Sequence, residues 1–197
     1  GAEFITDDGL VLGRVAYYAP GGFGYGLTWR GFYWTASTGL VFLPSEYGIG
    51  HELRKVVAET GQVIGIQCAA RSSSGFCEDY KGFSWSLAGG MHDLGQFCYP
   101  TDVSKTGQVA GYCGGDSFVW DAERGTQFIE DDDTVNCYAE AISDQGQIVG
   151  NCVDEAARSA FSWTEETGLT TWTVSPGADT YARYVHSSGA VAGSSGA

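Results

Sequence analysis

A ten-residue phrase ending in glycine recurs along this 197-residue chain, and it constrains the fold more than any other feature. It reads Val56–Gly65 (VVAETGQVIG), Asp102–Gly111 (DVSKTGQVAG) and Tyr184–Gly193 (YVHSSGAVAG). Two further copies, Ala2–Gly13 and Ala139–Gly150, share six identical residues over twelve positions, with three more conservatively changed. The turn glycines Gly9, Gly61, Gly107, Gly146 and Gly189 are spaced by 52, 46, 39 and 43 residues. Each of the first four copies is followed by a Phe-x-Trp phrase: Phe32-Tyr33-Trp34, Phe83-Ser84-Trp85, Phe118-Val119-Trp120 and Phe161-Ser162-Trp163. Then comes a second turn glycine with a short apolar run, as in Gly39-Leu40-Val41-Phe42 and Gly168-Leu169. Self-similarity at periods of about 40 to 50 residues is the mark of an array of small units, each too small to bury its own apolar face.

Within a unit, apolar and small or polar residues alternate over short runs bounded by turn residues, which is strand patterning. Each unit therefore predicts four strands, and the chain an all-β, β-propeller-like array of four four-stranded units plus a C-terminal half-unit. The expected organisation is a single repeat domain over 1–197, with units at 2–55, 56–97, 98–136 and 137–181 and the half-unit at 182–197. Only His51–Val57 and Glu155–Ser159 carry patterns that allow a helical turn. Core packing between units is the expected role of Phe32, Trp34, Phe83, Trp85, Phe118, Trp120, Phe161 and Trp163, because large aromatics dominate burial.

The phrase Ala-x-x-Ile-x-x-x-Gly-x-Val-Val-Gly followed by Phe-x-Trp resembles the HAF repeat, a family of extracellular repeats, over Ala2 to Gly193. That resemblance implies a secreted or cell-surface protein with propeller-like blades and ties no enzymatic activity to the repeat. The aromatic stretch of the first unit and the cysteines depart from the family pattern.

The six cysteines form a pattern of their own. Cys98 and Cys113 are 15 residues apart, as are Cys137 and Cys152, at equivalent places in the third and fourth units. With a two-residue turn at Lys105-Thr106, pairing outward brings Cys98 opposite Cys113, and the same count around Asp144-Gln145 brings Cys137 opposite Cys152. Opposed residues of an antiparallel pair lie within disulfide reach. Cys68 and Cys77 would then staple the loop between the second and third strands of unit two. Three disulfides point to an oxidising compartment, hence an extracellular or cell-surface location.

Charge excludes more than it assigns. With 24 acidic against 10 basic residues, the net charge of -14 argues against nucleic acid or an anionic membrane, both of which require basic surface. No apolar run is long enough for a spanning helix of about 18 residues, so no membrane insertion is expected. The acidic run Glu130-Asp131-Asp132-Asp133 is the best calcium candidate, though it lacks the spacing of a calcium loop and reads first as a solvated face. No cofactor is otherwise called for. His51, His92 and His186 lie near no nucleophile motif, and His186 sits in a turn.

Binding candidates lie where the repeat does not dictate the residue. The first unit carries the insert 17–29, read as a loop, whose Tyr17, Tyr18, Phe23, Tyr25 and Trp29 are interspersed with glycines and suit a saccharide or a protein surface. The count of units is the other clue, since the fifth copy contributes a hairpin alone. An unpaired hairpin is a template for strand addition. The expected function is that of a non-catalytic, secreted or cell-surface structural or interaction protein, self-associating head to tail into a fibre or matrix through that hairpin. A carbohydrate-binding propeller using 17–29 is the alternative, and a propeller-fold glycoside hydrolase a more distant one.

Overall fold

The computed structural model describes residues 1–21, 24–45, 50–71, 77–129, 135–154 and 158–196, with the backbone alone at 19–21, 24–27 and 69–71. Among the described residues there is no helix, and all regular structure is antiparallel sheet. Among those residues, then, no helix is long and apolar enough to cross a membrane. The strands gather into two compact units, Gly1–Tyr99 and Pro100–Ala197.

The first unit holds two four-stranded meanders: β1 (Ala2–Ile5), β2 (Val11–Gly21), β3 (Gly24–Thr35) and β4 (Gly39–Phe42), then β5 (His51–Val56), β6 (Val63–Arg71), β7 (Cys77–Ser86) and β8 (Gly90–Gln96). A third sheet comprises β9 (Cys98–Val103), β10 (Val109–Cys113), β11 (Asp116–Asp121) and β12 (Gly125–Phe128). The fourth comprises β13 (Asn136–Ile142), β14 (Ile148–Val153), β15 (Arg158–Thr164) and β16 (Gly168–Trp172). The fifth is a two-stranded hairpin, β17 (Asp179–Val185) and β18 (Val191–Gly196). Four strands per repeat and a terminal half-unit are thus as expected.

The structure differs from expectation at both candidate helical turns and at unit boundaries, the terminal hairpin beginning at Asp179 within the stretch assigned above to the fourth unit. His51–Val57 is no helical turn, because His51–Val56 is strand β5. His51 and Leu53 are buried while Arg54 and Lys55 are exposed, so the segment alternates across a sheet. The second sheet accordingly begins at His51, within the stretch assigned above to the tail of the first unit. In the other candidate helical turn, residues 155–157 lie outside the described residues, and Arg158 and Ser159 are extended within β15.

The turn between the first two strands of each repeat is longer than two residues. In the fourth sheet Ile142 pairs with Ile148, the Ser143 N–H donates to the Gln147 carbonyl at 2.9 Å, and Gly146 takes a φ of 80° that favours glycine. The extra residue shifts the register by one, yet Cys137 still faces Cys152. A β-bulge between Ala139 and Ala141 restores the count. Equivalent bulges lie between Ala2 and Phe4, Leu53 and Lys55, and Ala182 and Tyr184. The bulged residues are all charged: Glu3, Arg54, Glu140 and Arg183.

Each bulge lies beside the glycine that ends the phrase. A Cβ on Gly65 would collide with the Glu52 carbonyl, one on Gly150 with the Tyr138 carbonyl, and one on Gly193 with the Tyr181 carbonyl. On the other flank sits the phenylalanine of the third strand. A Cβ on Gly13 would lie 2.8 Å from Phe32, on Gly65 2.9 Å from Phe83, and on Gly150 2.6 Å from Phe161. The ring lies flush on a bare backbone, which is why glycine and phenylalanine recur together. Phe83, Phe118 and Phe161 are fully buried, and Phe32 nearly so. Trp85 and Trp120 are buried as well, and Trp163 is partly so. Trp34 departs from its expected core role, being 41% exposed.

All six cysteines are disulfide-bonded. Cys137 bonds to Cys152 and Cys68 to Cys77 as expected, while Cys98 and Cys113 are also oxidised.

In the first unit, His51 is buried and edge-on to Phe83. Its Nδ1 accepts from the Gly31 N–H at 3.2 Å, and its Nε2 lies 2.9 Å from the Pro44 carbonyl, so the neutral ring with Nε2–H satisfies both. Burial first, and Arg30 to a lesser degree, push its pKa below the ordinary 6.5 against an opposing pull from the Pro44 carbonyl. The fold therefore favours the neutral imidazole, and this stabilisation is complete above about pH 6.5 and is lost as pH falls toward the depressed value.

Two predictions follow from this packing. Gly150→Ala should lower unfolding free energy by at least about 1–3 kcal/mol in urea titrations, whereas Gly196→Ala, whose Cβ meets nothing within 4 Å, should change it by less than about 0.5; equal effects would refute the crowding argument. For His51, stability measured between about pH 6.5 and 5 should decline on acidification, and His51→Gln should flatten that decline. An unchanged slope would mean that another group is responsible.

Candidate functional site

The terminal hairpin is asymmetric. On its inner strand β17, Thr180 and Ala182 are buried, and Ala182 packs in one cluster with Ala141, Val149 and Ala160 of the fourth sheet. Side chains at this junction satisfy main-chain donors. Asn151 Oδ1 accepts from the Ala182 N–H at 2.9 Å, Asp179 Oδ1 from the Arg158 N–H at 2.9 Å, and Thr180 Oγ1 from the Val174 N–H at 3.0 Å. A buried amide paired in this way holds β17 firmly, since leaving it unpaired costs about 1–3 kcal/mol. Asn151 was not singled out in the sequence, where nothing distinguishes it from a surface asparagine.

The outer strand β18 is exposed along its whole length and, among the described residues, is paired on one side only. Val191 presents an apolar side chain there, with Tyr184 exposed on the partner strand. A groove of about 290 Å³ runs beside it, bounded by Tyr181, Ala182, Val191 and Gly193 and by Ala160 and Trp172 of the fourth sheet. That is at the lower limit for small-molecule pockets, which span about 300–1,000 Å³, and suits one or two side chains.

Glu140, the bulged residue of β13, is exposed to solvent; partial desolvation of its carboxyl raises its pKa, opposed by Arg183 and by a hydrogen bond from Asn151. Its effect on stability runs opposite to that of His51, being relieved as pH falls. His186 occupies the hairpin turn, where its Nδ1 accepts from the Ser188 N–H at 3.1 Å. His92 lies in β8 opposite Ser84.

The aromatic insert is not a loop. β2 and β3 run on as one regular ladder from Val11↔Trp34 to Gly21↔Gly24, so Tyr17, Tyr18, Tyr25 and Trp29 stand on paired strands. The alternation of aromatic and small residues is itself a strand pattern, which explains the difference. Tyr18 is 72% exposed, and Trp29 is exposed with the Arg14 guanidinium 5.5 Å from its ring centre. Tyr17 pairs with Thr28 in this ladder and is partly buried. Phe23 and the side chain of Tyr25 lie outside the described residues, as do the calcium candidates Glu130, Asp131, Asp132 and Asp133. Among the described residues no group of three or more His, Cys, Asp or Glu is arranged to hold a metal ion.

No family model and no curated protein matches the chain. Among solved structures it is similar to the crystal structure of dipeptidyl peptidase 4 from Porphyromonas gingivalis, at 9% identity and a TM-score of 0.56. The match covers 87% of this chain and 30% of that one, so the chain spans under a third of its length, and the likeness is one of fold. Three disulfides in a small β protein fit an extracellular location.

The exposed ladder generates one test. If it is a saccharide platform, binding on a glycan array should be lost in Tyr25→Ala and Trp29→Ala; an array without signal for the intact chain removes that role.

Proposed function

We propose that this chain is a non-catalytic, secreted or cell-surface interaction protein of the HAF-repeat kind, with propeller-like blades, that joins other polypeptides by strand addition at its terminal hairpin. Head-to-tail association of its own copies is the simplest use of that edge. The observation that carries this reading is the contrast between the two faces of the hairpin. β17 is locked to the fourth sheet by Asn151 and Asp179, while β18 offers an unshielded strand edge beside a groove of apolar and hydroxyl side chains. Exposed edges of this kind are normally shortened, charged or covered, because they recruit other strands. Units that associate edge to edge in one direction form filaments if the rotation does not close.

Saccharide binding through the β2–β3 ladder is a second reading, favoured by the exposed Tyr18 and Trp29. Light scattering coupled to size exclusion separates assembly from it. The intact chain should show a concentration-dependent mass above 20.9 kDa, and a chain ending at Pro176 should not. Equal monomeric masses for both would remove the self-association version.

A further inference from the structure

In all four complete sheets the strand next to the phrase strand pairs in one register. Phenylalanine faces the phrase-ending glycine in Gly13↔Phe32, Gly65↔Phe83, Gly111↔Phe118 and Gly150↔Phe161. Tryptophan faces a β-branched residue two positions earlier in Val11↔Trp34, Val63↔Trp85, Val109↔Trp120 and Ile148↔Trp163. The residue before the phenylalanine is always small: Gly31, Gly82, Ser117 or Ala160. β18 carries the same acceptor face, with Val191 and Gly193 in the same spacing.

We propose that the outer edge of β18 is a docking site for an antiparallel polypeptide strand with the pattern small–Phe–x–Trp, its phenyl ring seated on Gly193 and its indole on Val191. This rests on the interaction reading above and supplies the chemistry of the partner.

Three observations support it. A Cβ on Gly150 would have the Phe161 ring among its nearest neighbours, whereas the three atoms nearest a Cβ on Gly193 all belong to the β17 backbone. Gly193 nonetheless pairs with Ala182 beside a bulge, as Gly150 pairs with Ala139, so the bare platform is built although no ring of the hairpin covers it. The groove lies at this place. Phe161 belongs to one buried cluster that includes Ala139 of its own sheet and Val119 and Ile129 of the preceding one. Beside Gly193 the groove is walled by Ala182, which holds the place of Ala139, and by Ala160 and Trp172 of the preceding sheet, with the hydroxyl side chains of Thr180, Ser194 and Ser195 completing it. Among the described residues the four strands of this pattern are all engaged as third strands of their own sheets, so a folded second copy that meets this edge does so with a strand of another kind, and the strand docked here is one of this pattern that is otherwise unpaired. Main-chain hydrogen bonds supply affinity in such additions, and the pockets for alternate side chains supply the choice of partner.

A labelled synthetic peptide of residues 158–172, the third and fourth strands of the fourth sheet, serves as the probe on the intact chain. Saturable binding by fluorescence anisotropy is expected, with slowed amide exchange along Val191–Ser195. A peptide carrying Phe161→Ser should bind about tenfold or more weakly, as the loss of one buried phenyl ring implies. Val191→Glu in the protein, at an exposed position, should weaken binding similarly while leaving the circular dichroism spectrum and the melting temperature in place. Absence of binding, or equal binding by the wild-type and Phe161→Ser peptides, would overturn the proposal. Self-association abolished by Val191→Glu, with no peptide binding or competition, would overturn it while leaving the assembly reading standing. Peptide binding by a chain that stays monomeric would do the reverse.

Discussion

The contact on which the repeats depend is a phenyl ring laid on a glycine. At Gly13, Gly65 and Gly150 a Cβ would strike both a carbonyl of the first strand and the ring of the third. The absence of a side chain lets three strands approach at one point, and the ring replaces the burial that glycine cannot provide. Because the rings of Phe83, Phe118 and Phe161 are fully buried, the same contact orients the sheet toward the core. The bulge is a companion to this arrangement. It turns the first strand, leaves one residue unpaired, and offsets the longer turn so that later pairs, including Cys137 with Cys152, remain in step.

The bulges also explain where part of the charge is placed. Their unpaired residues are Glu3, Arg54, Glu140 and Arg183, and Glu3 pairs with Arg14 at 2.7 Å and Arg54 with Glu52 at 2.7 Å. Partly exposed pairs of this kind contribute little to stability, about 0–1 kcal/mol. The junctions within the second unit depend on buried side-chain acceptors instead. Asp102 Oδ2 receives the Ile142 N–H at 3.0 Å, and Asn151 plays the same part for Ala182. Both receive a main-chain N–H from the first strand of the following sheet, so each of these sheets is tied to the next by a side-chain acceptor.

The terminal hairpin inherits half of this arrangement. It has the bulge, the crowded Gly193 and the buried inner strand, and it is held to the fourth sheet by hydrogen bonds of the same kind. What it lacks in the described residues is the third strand, and with it the ring. The site is defined by what the other four sheets place there, rather than by a cluster of reactive groups.

The number of strands, the positions of the turn glycines and the opposition of Cys137 and Cys152 were legible in the sequence, because glycine spacing and alternation report directly on local backbone geometry. Residue identity alone, however, did not reveal why the second glycine of each phrase is obligatory, since that depends on a carbonyl and a ring from two other strands. The same limit applies to His51–Val56, whose alternation is too short to distinguish from a helical turn until Phe83 and Pro44 surround the imidazole. It applies again to the 17–29 stretch, which glycines made look like a loop and cross-strand pairing made into a ladder. By itself the sequence determined the repeat, its strands and its oxidised cysteines, all of which follow from local spacing. Tertiary structure alone decided the bulged register, the roles of His51 and Asn151, and the acceptor groove on β18, because each arises from contacts between segments that sequence order keeps apart.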